Sequence, residues 1–350
     1  MPWIILPMPD GSLAPRGRGG HCMSSVGSKL IVFGGSDRAP LSYDDLWVLD
    51  TAEEHMHWTR MTPLSAPGCQ ILPRSGATLT AIGDLLYLYG GQEPLTEFRF
   101  GDTKVLDTRT WTWSNVEVQG PVPPPRHSHA AGMLAEQCLL VYGGSGYSDT
   151  LSDVWVLNPQ QRCWRQVLVT GISPPGREMH SATMVGPTTM LVFGGRAGDG
   201  RVLSDAALLE AADMRWSVIE PTPFSRCAHT GVAVPSSPAS STSSSIQGEQ
   251  QQQGPSRSMD VLIYGGFSGD AVEGDVIKID GKTLDVELLQ RSPREADKIA
   301  GTVPPARFAH GAAPVLCRTP QGHQSLAMAI FGGVTPAEDM RDVAFWIINN

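Results

Sequence analysis

The sequence predicts an all-β protein built as a β-propeller of six blades. The first observation is a run of four or five apolar residues that ends in a glycine pair, found at residues 30–35 and at five later places. Such a run, closed by residues that tolerate positive φ, is typical of a buried strand entering a turn. The second observation is the period. The first glycines of successive pairs lie 56, 53, 51, 71 and 67 residues apart, which is close to the roughly 50 residues of one propeller blade.

Each apolar run has the same neighbours in the same order. Upstream, an arginine is followed three residues later by a histidine, as at Arg18 and His21, although the second repeat has Ala77 at the histidine position. Downstream, an acidic residue opens the next apolar strand, and a later strand often carries tryptophan. The acidic residues are Asp45, Asp102, Asp153, Asp205, Asp275 and Asp342, and the tryptophans include Trp58, Trp113, Trp164 and Trp216.

These ordered repeats resemble the kelch-repeat β-propeller family over essentially the whole chain. The resemblance implies four antiparallel strands in each blade, arranged around a central channel. The sixth repeat ends after its third strand, whereas the chain begins with a tryptophan strand, Trp3–Leu6, that has no blade of its own. We therefore expect Trp3–Leu6 to complete the last blade, which removes an open sheet edge.

Residues 1–350 are accordingly expected to form a single six-bladed domain. Within blade five, residues 236–258 are rich in serine and glutamine. A segment this polar cannot bury enough apolar surface to order itself, so the sequence predicts a disordered loop there.

Composition limits the classes of function. The chain shows neither a signal-like leader nor a run of about 18 apolar residues, so we expect a soluble cytoplasmic protein without membrane insertion. Its six cysteines have no C-x-x-C spacing, which disfavours a zinc site or a disulfide framework. The net charge of −9 argues against general nucleic-acid binding, because that function needs a basic surface.

One face of the propeller is predicted to bind a protein partner. Because antiparallel strands alternate in direction, the link that enters each first strand and the link between strands two and three lie on the same face. These links carry arginines beside aromatic residues, a composition typical of recognition surfaces. The predicted partner-binding residues are Arg18, Arg74, Arg126, Arg177, Arg226, Arg307, Arg99, Tyr147 and Phe267.

The resemblance implies a ligand for that face, since arginines at such positions in several relatives bind acidic or carboxylate-bearing peptide segments. A different interpretation stays open. Each repeat arginine could instead pair with the aspartate that opens the third strand of its own blade, for example Arg126 with Asp153, and serve only the fold.

The predicted function is a non-enzymatic protein-interaction module or scaffold without catalytic residues, metal or cofactor. The repeat histidines are expected to be satisfied between blades rather than to bind a metal, and no local motif selects a nucleophile. Two alternatives remain. One is a substrate-recognition subunit of a ubiquitin ligase that acts through a separate scaffold. The other is a small-molecule enzyme of the sialic-acid mutarotase kind, which would need a compact polar pocket with a perturbed pKa.

Overall fold

The computed structural model describes residues 3–6, 11, 13–39, 41–236, 259–292, 302–319 and 321–348. All regular structure in these residues is β. They contain no helix with the length and hydropathy needed to span a bilayer. Residues 237–258 lie outside the described residues, so the disordered loop at 236–258 stays a prediction.

Six sheets, each with four main antiparallel strands, follow one another along the chain as six blades. The first strand, β1 (Trp3–Leu6), precedes blade one, which contains β2 (Cys22–Val26), β3 (Lys29–Phe33), β4 (Leu46–Asp50) and β5 (Trp58–Met61). After β6 (Leu64–Ser65), blade two contains β7 (Thr78–Ile82), β8 (Leu85–Tyr89), the short pair β9 (Gln92–Glu93) and β10 (Phe98–Arg99), then β11 (Thr103–Asp107) and β12 (Thr112–Asn115). Blade three contains β13 (Ala130–Leu134), β14 (Cys138–Tyr142), β15 (Val154–Asn158) and β16 (Cys163–Val167).

Blade four is preceded by β17 (Arg177–Glu178), which pairs with β20 (Arg196–Ala197), and its main strands are β18 (Ser181–Met184), β19 (Thr189–Phe193), β21 (Asp205–Glu210) and β22 (Arg215–Pro221). Blade five contains β23 (Thr230–Pro235), β24 (Met259–Tyr264), β25 (Val276–Ile279) and β26 (Val286–Gln290). Blade six contains β27 (Gly311–Arg318), β28 (Gln324–Phe331) and β29 (Val343–Ile347), and β1 is its fourth strand.

The closure predicted from the two ends of the chain is confirmed. β1 pairs antiparallel with β29, with Trp3 opposite Trp346 and Leu6 opposite Val343. The Trp3 ring packs at 5.3 Å from Tyr264 of blade five, and its Nε1 donates to Gln290 at 3.1 Å. β1 therefore completes the last blade by backbone pairing, and its Trp3 anchors that blade to blade five.

The hydrophobic core lies between the blades rather than within them. Among the described residues, the buried apolar side chains form six clusters, each shared by two neighbouring blades. In a typical junction, Tyr142 at the end of β14 contacts the rings of His180 and Trp216 of the next blade, both at centroid distances of 5.2 Å. The repeated aromatic, histidine and tryptophan are thus parts of one interblade contact.

The glycine pairs allow adjacent blades to approach at the end of each second strand. Gly90 and Gly91 have φ of 66° and 97°, and a Cβ on Gly90 would lie 2.6 Å from the carbonyl oxygen of Arg126 in blade three. The N–H of Gly91 donates to that same carbonyl at 2.9 Å. Only glycine allows both the backbone angles and the close approach.

Candidate functional site

Each repeat arginine lies inside its own blade against the aspartate that opens the third strand. In blade three, Arg126 donates to both carboxylate oxygens of Asp153, at 2.7 and 2.9 Å, and to the carbonyl oxygen of Gly143 at 2.9 Å. Its Nε donates to the carbonyl of Pro124 at 3.2 Å. All six blades contain the ion pair; the pairs are Arg18–Asp45, Arg74–Asp102, Arg126–Asp153, Arg177–Asp205, Arg226–Asp275 and Arg307–Asp342.

This geometry agrees with the structural interpretation of the repeat arginines. Five of their side chains are 0 % exposed and that of Arg226 is 5 % exposed. A partner could reach a guanidinium only by displacing the aspartate that already holds it. The partner-binding role predicted for these six arginines therefore receives no support from their placement.

The pKa values of three paired aspartates reflect two opposing effects, burial and contact with the arginine. Burial by itself raises the pKa of Asp45, Asp102 and Asp153. The hydrogen bonds and charge of the paired arginine outweigh that effect, so these pKa values lie below the ordinary 3.8. These three carboxylates stay ionised, so blades one, two and three each contain a neutral ion pair rather than a free cation.

Blade five departs from the pattern. Arg226 donates to Asp275 through Nη2 alone and to the carbonyl of Ser225, and its buried Nε has no hydrogen-bond partner. Burial and the nearby charge of Glu273 raise the pKa of Asp275 despite the arginine. The Arg226–Asp275 pair is therefore held by fewer bonds than the other five.

The five repeat histidines lie between blades, and burial lowers the pKa of each, to about 3 for His21 and His229. A hydroxyl of the preceding blade contacts Nε2 of His129, His229 and His310, at 2.7 to 2.9 Å. Both ring nitrogens of His21 and His180 lack a hydrogen bond of good geometry. Nδ1 has no hydrogen bond of good geometry in any of the five histidines, so the difference concerns Nε2. Its reason is the sequence of the preceding blade, which has Gly311 or Ala130 where the others have serine or threonine.

A closed collar of backbone hydrogen bonds surrounds the channel axis at the residues two positions after each arginine. Each N–H donates to the matching carbonyl of the preceding blade, over 2.7 to 2.9 Å, and all six residues have φ between 52° and 68°. The collar residues, in order, are Gly20, Gly76, Ser128, Met179, Ala228 and Ala309. These N–H and carbonyl groups are hydrogen-bonded to one another around the ring. The chemical differences between one part of the collar and another therefore come from the side chains.

A cavity of about 370 Å³ opens at this collar, on the face that carries the links between strands two and three. Outside the collar, a rim is formed by one bridged residue pair per blade; the pairs are Gly19 with Ser36, Ser75 with Gln92, His127 with Ser145, Glu178 with Arg196, Cys227 with Phe267, and Phe308 with Val334. We refer to the collar and these twelve rim residues together as the channel mouth.

The channel mouth has two unlike sides. The polar side, from blades one to three, lines the cavity with Ser36, Ser75, Gln92 and Ser128 and with the charged residues Asp37 and Arg38. The apolar side, from blades four to six, lines it with Met179, Ala228, Phe308, Ala309 and Val334. Asp339 of blade six also lines the cavity, at the border with blade one, where it lies 3.4 Å from Arg38, and the charged rim pair Glu178–Arg196 does not line it. These five apolar residues are partly exposed rather than buried. The cavity can therefore contact a ligand through hydrogen bonds on one side and apolar surface on the other.

Three of the predicted partner-binding residues do lie at this face. Arg99 pairs in register with Gln92 of the rim, and its guanidinium carbon lies 4.7 Å from the centre of the Tyr147 ring. The Tyr147 side chain projects outward, with 63 % of its surface exposed. Phe267 is a partly exposed rim residue of blade five.

Arg99, which lies beside the rim, is less engaged than Arg196 and Arg38 on the same face. Within the described residues it forms no ion pair, and its Nε is buried without a hydrogen-bond partner. By contrast, Arg196 contacts Glu178 at 2.6 Å, and Arg38 lies 3.4 Å from Asp339. Burial is the largest cause of the lowered pKa of His127; the charge of Glu178 raises that pKa, whereas the charges of Arg99 and Arg196 lower it. All three charged groups therefore act on the same part of the rim.

The collar and most of the rim were not predicted from the sequence. Gln92, Met179, Phe308 and Val334 follow a repeated arginine or glycine pair, but their residue types change from blade to blade. A comparison of the six repeats at these fixed offsets would have found them. A residue type that recurs at the same position of every repeat meets a structural need of every blade. A position whose residue type differs between repeats can instead contact a ligand.

Comparison with known proteins agrees with the repeats. The family model described as the KLHDC2/KLHL20/DRC7 Kelch-repeats domain matches residues 3–195. The chain belongs to the kelch-repeat family. Its predicted all-β, six-bladed architecture and its kelch resemblance are thereby confirmed.

Several curated relatives share part of this kelch propeller. The chain is 29 % identical over 200 residues to acyl-CoA-binding domain-containing protein 4 of Arabidopsis thaliana, covering 57 % of this chain and 29 % of the relative. It is 29 % identical over 223 residues to the F-box/kelch-repeat protein At1g51550 of the same plant, covering 59 % and 45 %. It is 28 % identical over 270 residues to host cell factor of Drosophila melanogaster, covering 67 % and 18 %. The matched part is less than half the length of each of these relatives.

Proposed function

We propose that this kelch propeller is a non-catalytic protein-interaction module that binds an acidic or carboxylate-bearing segment of a partner at its channel mouth. The observation that carries the proposal is Arg99, a cation that lies beside the rim residue Gln92 and has no acidic partner among the described residues. An arginine beside an exposed tyrosine is a frequent composition of energetically important interface positions.

The chemistry of this position suits a carboxylate. The planar guanidinium of Arg99 can donate two parallel hydrogen bonds to a carboxylate. The Tyr147 ring holds the guanidinium by a cation–π contact, which limits the side-chain entropy lost on binding. A carboxylate at this rim would also give the buried Nε of Arg99 a polar neighbour.

This assignment changes which arginines contact the partner. The six repeat arginines keep the blades in shape, and Arg99 is the proposed contact together with Tyr147, with Phe267 on the far side of the rim. The alternative role, a substrate-recognition subunit of a ubiquitin ligase that acts through a separate scaffold, remains a prediction. Such a subunit could use the same contact at Arg99 to bind its substrate.

The test is a selection of random nine-residue peptides displayed on phage against the immobilised protein. The wild type is compared with Arg99→Gln and with the control Arg109→Gln, whose side chain is 77 % exposed in the link between β11 and β12 on the opposite face. We expect aspartate and glutamate to be enriched by the wild type and the control and not by Arg99→Gln. Equal acidic enrichment by all three proteins, or none by the wild type, would refute the assignment.

A further inference from the structure

We propose that the apolar side of the channel mouth is a second subsite, which takes an aliphatic or aromatic side chain from the same partner segment. This inference rests on the proposed function, because it adds a second contact to the carboxylate contact at Arg99. The partner segment would then carry an acidic residue and an apolar residue a few positions apart.

The apolar side is continuous. Met179, Ala228 and Ala309 follow one another in the collar through their backbone hydrogen bonds. Phe308 and Val334 are bridged to each other in the rim directly above Ala309. All five line the same cavity and are partly exposed to solvent. A partly exposed apolar wall of this extent at a concave site is typical of a binding surface.

The fold itself does not require these residues. The positions of Phe308 and Val334 are held by Gly19 and Ser36 in blade one and by Ser75 and Gln92 in blade two. All blades form the same backbone bridges with either set. The apolar types in blade six are therefore free to be selected by what enters the cavity.

The collar gives an independent reason. Met179, Ala228 and Ala309 have φ of 55°, 53° and 55°, and Ser128 on the polar side has φ of 52°, a left-handed conformation that disfavours any side chain. Gly20 and Gly76 hold the same collar positions in blades one and two, so glycine meets every structural demand there. A side chain kept in a disfavoured conformation while it faces a cavity points to a role in that cavity.

The floor and the size of the cavity fit one such side chain. The floor contains His21, His129, His180, His229 and His310, whose buried rings are uncharged at neutral pH. A volume of about 370 Å³ is at the lower end of ordinary ligand sites, which span roughly 300–1,000 Å³. It accepts one or two side chains rather than a folded element. Because Gln92 both lines this cavity and pairs with Arg99, the carboxylate contact lies at its edge.

The test uses acetylated and amidated heptapeptides of glycine and serine that contain one glutamate and one leucine, placed two, three or four residues apart in either order. Binding is measured by fluorescence polarisation with the full chain. At one spacing we expect replacement of leucine by serine, and separately of glutamate by glutamine, to weaken binding at least tenfold.

The variant Met179→Gly combined with Val334→Thr should reduce the preference for leucine over serine to less than threefold. The matched control is Ser128→Gly, which makes the same kind of backbone change on the polar side and should keep the full preference. Thermal unfolding of each variant verifies that the fold is retained, and glycine at a left-handed position should not lower its stability.

The outcomes separate the two proposals. Glutamate dependence without leucine dependence at any spacing would overturn the second subsite and leave the proposed function intact. Leucine dependence without glutamate dependence would overturn the carboxylate contact. A panel in which no peptide binds would count against both, and a preference for leucine that survives in the Met179 and Val334 variant would place the apolar contact elsewhere.

Discussion

Replacing Arg177 with methionine removes one of the five complete ion pairs while it keeps most of the apolar stem. Arg177 donates to Asp205 at 2.6 and 3.0 Å, to the carbonyl of Gly194 at 2.8 Å and to that of Pro175 at 3.2 Å. The variant leaves the carboxylate of Asp205 in a mostly buried position, with 19 % of its side chain exposed, and without these bonds. We expect unfolding free energy to fall by about 3–5 kcal/mol, the usual cost of removing one partner of a buried pair.

Arg226→Met is the matched comparison within the same protein. Arg226 donates to Asp275 through Nη2 alone, and burial together with Glu273 already raises the pKa of that carboxyl, so Asp275 can take up a proton more easily when the arginine is lost. We expect a smaller cost of about 1.5–3 kcal/mol, which is that of one hydrogen bond to a charged group.

The assay is guanidinium chloride unfolding followed by tryptophan fluorescence, with peptide affinity measured in parallel on the folded variants. Equal losses for the two variants, or a loss below about 1 kcal/mol for Arg177→Met, would refute the view that the complete bonding pattern stabilises each blade. A loss of peptide affinity in folded Arg177→Met would show that the repeat arginine contributes to binding after all.

Two further predictions concern the histidines between blades. Thr78 places a hydroxyl beside Nε2 of His129, whereas His180 has no such partner. Ala130→Ser supplies that hydroxyl to His180 and should raise the free energy of unfolding by about 0.5–1.5 kcal/mol, and Thr78→Ala should lower it by a similar amount. Two neutral results would contradict this explanation. Burial holds the pKa of His180 well below the ordinary 6.5, so the unfolded chain binds this proton first and acidification below pH 6.5 favours unfolding. His180→Phe should therefore lessen the loss of stability below pH 6.5 by up to about 1.4 kcal/mol per pH unit, as urea unfolding at pH 7 and pH 5 would measure, and an unchanged pH dependence would contradict it.

The sequence was most informative about what every blade needs. The apolar runs, the glycine pairs, the arginine-to-aspartate pairing and the tryptophans recur because each blade must meet the same packing demands. The junction at Tyr142 illustrates this, since its contacts with His180 and Trp216 use two repeated positions. The closure by Trp3–Leu6 followed from the same logic, because a tryptophan strand without a blade and a blade without a tryptophan strand have one common solution.

Only the tertiary structure decided which residues a partner can reach. Spacing placed Arg18 and its five counterparts on one face and allowed two interpretations, partner binding or pairing with the third-strand aspartates. Only the structure showed that their guanidinium groups turn inward onto those aspartates and become inaccessible. Arg99 is not paired with an aspartate in this way, because its link folds as β9 and β10 and places its side chain beside Tyr147. The sequence also did not predict the polar and apolar sides of the channel mouth, because the residue types that form them do not repeat from blade to blade.

The physical reason is the difference between a demand that is shared and one that is local. A contact required in all six blades leaves a period in the sequence, and it is buried because it holds the blades together. A ligand contacts the assembled ring from one direction, so its residues come from different blades, differ in type and leave no period. The sequence thus determined the propeller, and the closing of the ring around one axis decided where it can bind.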